Sequence, residues 1–249
     1  MHTLIRTTRT ELLKLRTVRS PWLLLAASPL LVVAGTSGLV VSGERPLDAT
    51  AQSQALAHVG LASLFTLVLG ILAVAGEYRH QTITDTYLST PARGPVIGAK
   101  LLVYAALGAL AGVAAGLVGL GVAAAWWAGK GASFAWADAE MWTTIGGGIA
   151  WSAAFAAIGV GAGALIRNLI GAIAAALAWV ALVEGIVGQL IGDFARWLPF
   201  NAGQALGAAA EPMMNSDLLP RWGGGGVLAA YTLVFAVLAV TTSMRRDVS

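Results

Sequence analysis

Apolar residues along this chain gather into long runs that short polar segments interrupt. Six runs stand out, at 22–41, 55–75, 97–127, 142–166, 169–190 and 227–244. A bilayer hydrocarbon core about 30 Å thick is crossed by about 20 helical residues at a rise near 1.5 Å, and each run meets that length. The third exceeds it and must tilt or project beyond the membrane. No segment shows the alternation of a transmembrane β-strand. The pattern predicts an all-α integral membrane protein whose 249 residues form one transmembrane domain.

Composition agrees. The chain is 57% hydrophobic and 11% charged, with a mean hydropathy of +0.77, against about 25% charged residues in soluble domains. The absence of cysteine excludes structural disulfides and thiolate metal sites. His2, His58 and His80 are scattered, and neither an H-E-x-x-H nor a G-x-x-x-x-G-K motif occurs. No ATP site, metal or other cofactor is therefore expected in this chain.

Threading the six runs alternately through a membrane places Arg6, Arg9, Lys14, Arg16, Arg19, Arg79, Arg93, Lys100, Arg167, Arg245 and Arg246 on one side. Only Arg45, Lys130, Arg196 and Arg221 fall on the other. The richer side is predicted to be cytoplasmic, with both termini on it. Seven acids lie outside (Glu44, Asp48, Asp138, Glu140, Asp193, Glu211, Asp217), four lie inside (Glu11, Glu77, Asp85, Asp247), and Glu184 lies within the fifth run. The net charge of +3 is thus an orientation signal and no sign of nucleic-acid binding.

The basic segment before the first run is too long, and the run itself too long, for a cleaved signal peptide; a retained first span is expected. If residues 4–15 are helical, Leu4, Ile5, Leu12 and Leu15 fall in one arc of about 100°, with Arg6, Arg9 and Lys14 outside it. Residues 1–20 then read either as an interfacial helix touching a cytoplasmic partner or as a charged orientation signal.

The connection between the second and third runs, "GEYRHQTITDTYLSTPARGPVIGAKL", is far longer than the Arg167–Asn168 turn between the fourth and fifth. Thr82 followed by Asp85 makes a capping-box-like start, residues 82–88 allow about two helical turns, and Pro91, Gly94 and Pro95 end them. A short helix across the membrane surface is expected, rooted at Glu77 and Arg79; the plainer reading is a solvated loop.

These residues carry a family resemblance. Gly76-Glu77, Thr82-Ile83, Leu88-Ser89, Pro91, Arg93 and Lys100-Leu101 resemble the pattern G-E…T-I…L-S-x-P-x-R…K-L between the second and third spans of ABC-2 type permeases, the membrane subunits of ATP-driven exporters. "TELLKLRTVRS" is similar to that family's entry helix, and "RWLPFNAGQAL" to its outer segment between spans five and six. The resemblance implies a permease in the inner (plasma) membrane, two six-span subunits as a homodimer lining the path, and two copies of a separately encoded ATPase that hold ATP and Mg. It further implies that residues 77–95 carry a coupling helix seated on the ATPase. Its surface would comprise Glu77, Arg79, Thr82, Asp85, Tyr87, Leu88 and Arg93.

The outer connection, 191–226, is interrupted by Pro199, Pro212, Pro220 and the run of glycines at 223–226, and is too short for another span. In the resembling family, short helices here dip into the outer leaflet and cap the exit. Trp197, Leu198, Pro199 and Phe200 suit the membrane interface. Glu184, seventeen residues beyond Arg167, lies about 26 Å along its helix, near the outer boundary. It reads either as a structural or snorkelling acid or as one facing the outer end of the path.

Gly108, Gly112 and Gly116 recur every four positions, as do Gly159 and Gly163, which predicts close helix contacts, chiefly within the subunit. Two rival readings have sequence features of their own. "GTSG" at 35–38 with His58 on the next span resembles the serine signature of intramembrane proteases, and a transporter-derived sensor or anchor would share the whole pattern. The apolar spans favour an amphipathic or hydrophobic cargo.

Overall fold

The computed structural model of the chain describes residues 2–42, 47–90, 93–207 and 218–245. All its regular elements are helical. Six stretches are long and apolar enough to cross a membrane, at Ser20–Ser42, Ala49–Arg79, Arg93–Gly129, Ala139–Ile166, Leu169–Leu190 and Arg221–Thr242. The chain is thus an all-α protein with the architecture of a multi-pass membrane protein. Among positions named above, Glu44, Arg45, Pro91, Glu211, Pro212, Asp217, Arg246 and Asp247 lie outside the described residues, as do the side chains of His2, Tyr87, Ser89 and Arg245.

Helix α1 (His2–Thr17) precedes α2 (Ser20–Ser42), the first span. The second span starts earlier than its apolar run. It opens with α3 (Ala49–Ala57), passes through a 3-10 turn (His58–Leu61), and continues as α4 (Ala62–Arg79). Asp48 makes this start possible by accepting the Ala51 N–H at 2.8 Å. The polar side chains that make "ATAQSQALA" look like loop are satisfied from a distance. Gln52 exchanges hydrogen bonds with the Ala135 backbone, and Ser53 donates to Asp138 at 3.1 Å.

The short α5 (Ile83–Ser89) leads to the long α6 (Arg93–Gly129), and α7 (Ala139–Ile166) follows. Helix α7 is the centre of the bundle, packed by α4, α6 and α12 (Arg221–Arg245). Glycines set these approaches. A Cβ at Gly108 would lie 2.5 Å from the Ser152 carbonyl, one at Gly112 2.8 Å from the Ile149 backbone, and one at Gly116 3.0 Å from Ile145. On the other side, a Cβ at Gly159 would strike the Leu67 carbonyl and one at Gly163 would lie 2.8 Å from the Ile71 carbonyl. Both glycine series therefore serve contacts within this chain, as expected.

Helices α8 (Leu169–Ala178) and α9 (Glu184–Leu190) form the fifth span around a π turn at Trp179–Val183. Its inward positions, Ala176, Val180, Glu184 and Gly188, are four residues apart. That spacing exceeds the 3.6 residues of an α-turn, and the wider π turn absorbs the excess. The span exposes most of its apolar surface, as does α12, which is what lipid-facing helices do.

Two short helices follow, α10 (Gly192–Ala195) and α11 (Pro199–Leu206). The glycines at 223–226 do not interrupt the chain as the sequence suggested: α12 begins at Arg221 and includes them. A side chain at Gly224 would approach the Ala202 carbonyl to 2.5 Å, so glycine here admits α11 against the first turn of α12.

Candidate functional site

The basic end of the bundle carries a buried ion network. Lys100 lies two turns into α6 and is fully buried. An ammonium has three protons to donate, and each finds an acceptor: Glu11 Oε2 at 2.9 Å, Glu77 Oε1 at 2.7 Å and the Ala73 carbonyl at 2.8 Å. Lys14 closes the square, with its Nζ 2.9 Å from Glu11 Oε1 and 2.6 Å from Glu77 Oε1. Burial lowers the affinity of Lys14 for its proton, but the Glu11 and Glu77 carboxylates outweigh burial and raise its pKa above the ordinary value.

Two acids balance two bases, so the network brings no net charge into the bundle. It joins α1 to the end of α4 and the start of α6. A further hydroxyl brings in α5: Thr86 Oγ1 lies 3.4 Å from Lys14 Nζ and 3.5 Å from Glu77 Oε2. Thr7, beside the network on α1, reaches the Pro95 carbonyl at 3.5 Å, and Ile83 and Val96 pack with Tyr78 beneath α5. Helices α1, α4, α5 and α6 are therefore tied together at this end.

This geometry divides the expected coupling residues. Glu77 was expected on the exposed surface. It instead turns inward, its side chain 11% exposed, because Lys14 and Lys100 converge on it. Arg79, Thr82, Asp85 and Leu88 are exposed, and Arg93 is half-buried. Leu88, at 76% exposure, is a large apolar side chain with little cover among the described residues. The capping box is not formed: Thr82 sits at the N-cap of α5 in helical geometry without a side-chain cap. The sharp turn before it is made by Gln81 in the left-handed region, at φ 57°.

At the opposite end, Glu184 is fully buried, and its oxygens accept the backbone N–H groups of Phe200 and Asn201 and the Asn201 side-chain amide. Phe200 does not sit at an interface as its neighbours in sequence suggested. It is buried against Trp151, with ring centroids 5.1 Å apart, and near Phe155 at 6.5 Å. Leu198 is buried too, Pro199 begins α11 and is half-buried, and only Trp197 of this group is largely exposed. Glu184 therefore acts on structure at this site by holding α11 in place.

The residues of the protease-like signature are engaged separately. Ser37 Oγ accepts from Trp126 Nε1 at 3.0 Å, while His58 Nδ1 lies 3.0 Å from the Ala55 carbonyl and its ring packs on Gly35. No hydrogen bond joins Ser37 to His58 among the described residues. Those residues also include no cluster of three or more side chains able to hold a metal ion.

In the sequence Glu11 stands out only as a charge on one side of the membrane, and Lys100 as such a charge and as part of the K-L element of the resemblance. Two signals could have marked them. Lys100 stands inside an unbroken apolar helix, and Glu11, the one acid of α1, falls beside Leu4 on a helical wheel, on the same side as Leu15 and away from the arginines. A buried, saturated, neutral network offers no free nucleophile or base; it suits holding helices in register. Comparison with known families and with characterised proteins gives no match for the chain.

Proposed function

We propose that this chain is the membrane subunit of an ATP-driven exporter of the ABC-2 permease type. It would sit in the inner (plasma) membrane with both termini in the cytoplasm, pair with a second permease subunit as a homodimer, and carry no cofactor. ATP and Mg would reside in two copies of a separate ATPase, and the cargo would be amphipathic or hydrophobic.

The observation that carries this reading is the polar connection after the second span. Its short helix α5 presents Asp85 and Leu88 outward beside the exposed Thr82 at its N-cap, while its inner side is tied to the spans through Thr86, Glu77 and Lys14. An exposed leucine ringed by polar groups fits a partner's cleft. A rigid polar tie behind it passes movement of that helix to three others. A partner can shift the equilibrium between two transporter states only through contacts that differ between those states, and α5 offers such contacts.

The test is purification in mild detergent from the native host. An ATPase that co-purifies with the chain, and whose hydrolysis rises when the two are reconstituted, supports the reading. A chain that purifies without one, together with an unchanged export phenotype after deletion, overturns it in favour of a sensor or anchor.

A further inference from the structure

The ion network changes the surface that α1 presents. Its only acid, Glu11, is 3% exposed and faces Lys100 and Lys14. What remains outward is one-signed. At about 100° per residue, Leu12, Ile5, Arg16, Arg9, Leu13 and Arg6 follow one another around an arc of about 120°, opposite the side carrying Leu4, Thr7, Glu11 and Leu15. All six are exposed, with Ile5 at 51%, Leu12 at 49% and Leu13 at 60%. Arg19 adds a fourth exposed guanidinium where α1 meets the first span.

We propose that this outward face of α1 is a binding surface for anionic phospholipid. Three alkyl side chains and three guanidiniums share it, as suits the boundary where acyl chains meet phosphates. The leucines and isoleucine enter the acyl layer and the arginines reach the headgroups. Position supports the same occupant. Helix α1 lies against the first turns of α6, where Thr7 meets the Pro95 carbonyl and Leu4 meets Gly98, and it runs into α2 after Val18 and Arg19. Trp22 is half exposed at that elbow and donates its indole N–H to the Leu15 carbonyl at 2.8 Å. The indole thereby fixes the angle at which α1 leaves the first span. Sequestering Glu11 is what makes the face attractive to an anion, since an acid at the surface would repel phosphate and offset one arginine. This inference is independent of transport and holds for any function of the bundle.

The experiment uses the full chain, delipidated and offered equal amounts of phosphatidylglycerol and phosphatidylcholine, with bound lipid counted by native mass spectrometry. The wild type is expected to favour phosphatidylglycerol, less so as salt rises. Each of Arg6→Gln, Arg9→Gln and Arg16→Gln should lower that preference by about fivefold. Arg79→Gln, at the same end but off α1, should leave it unchanged.

Because the chain has no cysteine, a single Leu12→Cys variant carrying an environment-sensitive fluorophore gives a second readout with every arginine intact. Its emission should shift to the blue in phosphatidylglycerol-containing nanodiscs relative to phosphatidylcholine alone. Equal lipid preference in the wild type and all three arginine variants, or a fluorophore indifferent to headgroup charge, overturns the proposal. So does an unchanged lipid preference accompanied by lost binding of an acidic protein, which would assign the face to that protein.

Discussion

The Glu184 carboxylate caps a helix that begins at Pro199, accepting the Phe200 N–H at 2.9 and 3.1 Å and the Asn201 N–H at 3.1 Å. The first N–H groups of any helix lack partners within it, and an anion beside them is favoured by the helix dipole. Here the anion comes from the preceding span, so one side chain fixes α11 to α9 and places Phe200 against Trp151.

Glu184→Ala is therefore expected to cost several kcal/mol, since it leaves buried N–H groups without acceptors at about 1–3 kcal/mol each. Glu184→Gln keeps an acceptor oxygen and should cost less. Thermal unfolding of the two variants in the same detergent checks the order. If Ala and Gln are equally mild, the cap contributes little.

Lys100 sits between two acids, so its removal should be severe. Lys100→Met leaves the Glu11 and Glu77 carboxylates to share Lys14 as their one cation around a fully buried position, and breaking a buried pair costs about 3–5 kcal/mol. Adding Glu77→Gln removes the surplus negative charge and should recover part of the loss. A double-mutant cycle on melting temperature measures the coupling. Additive effects would mean that the network is not a unit.

Glycines in this bundle should divide by what surrounds them. At Gly159 a Cβ would strike the Leu67 carbonyl, so Gly159→Ala must push α7 from α4 and should destabilise by more than 1 kcal/mol. At Gly38 and Gly146, both helical, nothing lies within 4 Å of an added Cβ. Alanine there should stabilise by about 0.5–1 kcal/mol through its better helix propensity. Unfolding of the three variants separates the cases.

The six spans were legible because apolar runs of membrane length need no knowledge of their neighbours. The glycine contacts were legible for the same reason, since a four-residue period names a helix face. What escaped the sequence was pairing across distance. Gln52 and Ser53 read as loop until Ala135 and Asp138 are seen to satisfy them. Lys100 read as one of the basic side's charges until Glu11, 89 positions away, is seen beside it. Glu77 read as surface, and Phe200 as interface, for want of the partners that turn them inward. The glycines at 223–226 read as a break because their local cost is visible and the close approach of α11 that requires Gly224 is not.

The exposed side of α5 gives the sharpest test of the proposed coupling role, because binding and folding can be separated there. Leu88 is 76% exposed and Arg79 is exposed as well, so substituting them should leave the bundle intact; surface changes of this kind usually stay within about 0.5 kcal/mol. Leu88→Asp places a charge where an apolar anchor would enter an ATPase cleft, and Arg79→Glu inverts a charge at the root of the same helix. If α5 is the docking element, both variants should reach wild-type amounts of folded chain, lose ATPase co-purification, and lose export together with substrate-stimulated hydrolysis. The loss expected from desolvating an unmatched charge at an interface is about 2–5 kcal/mol, a fall in affinity of more than tenfold. Glu77→Lys differs in kind. It strikes the buried network, so it should lower the melting temperature as well as association. Full association and export with Leu88→Asp and Arg79→Glu would reduce α5 to a connector and remove the main support for coupling through it.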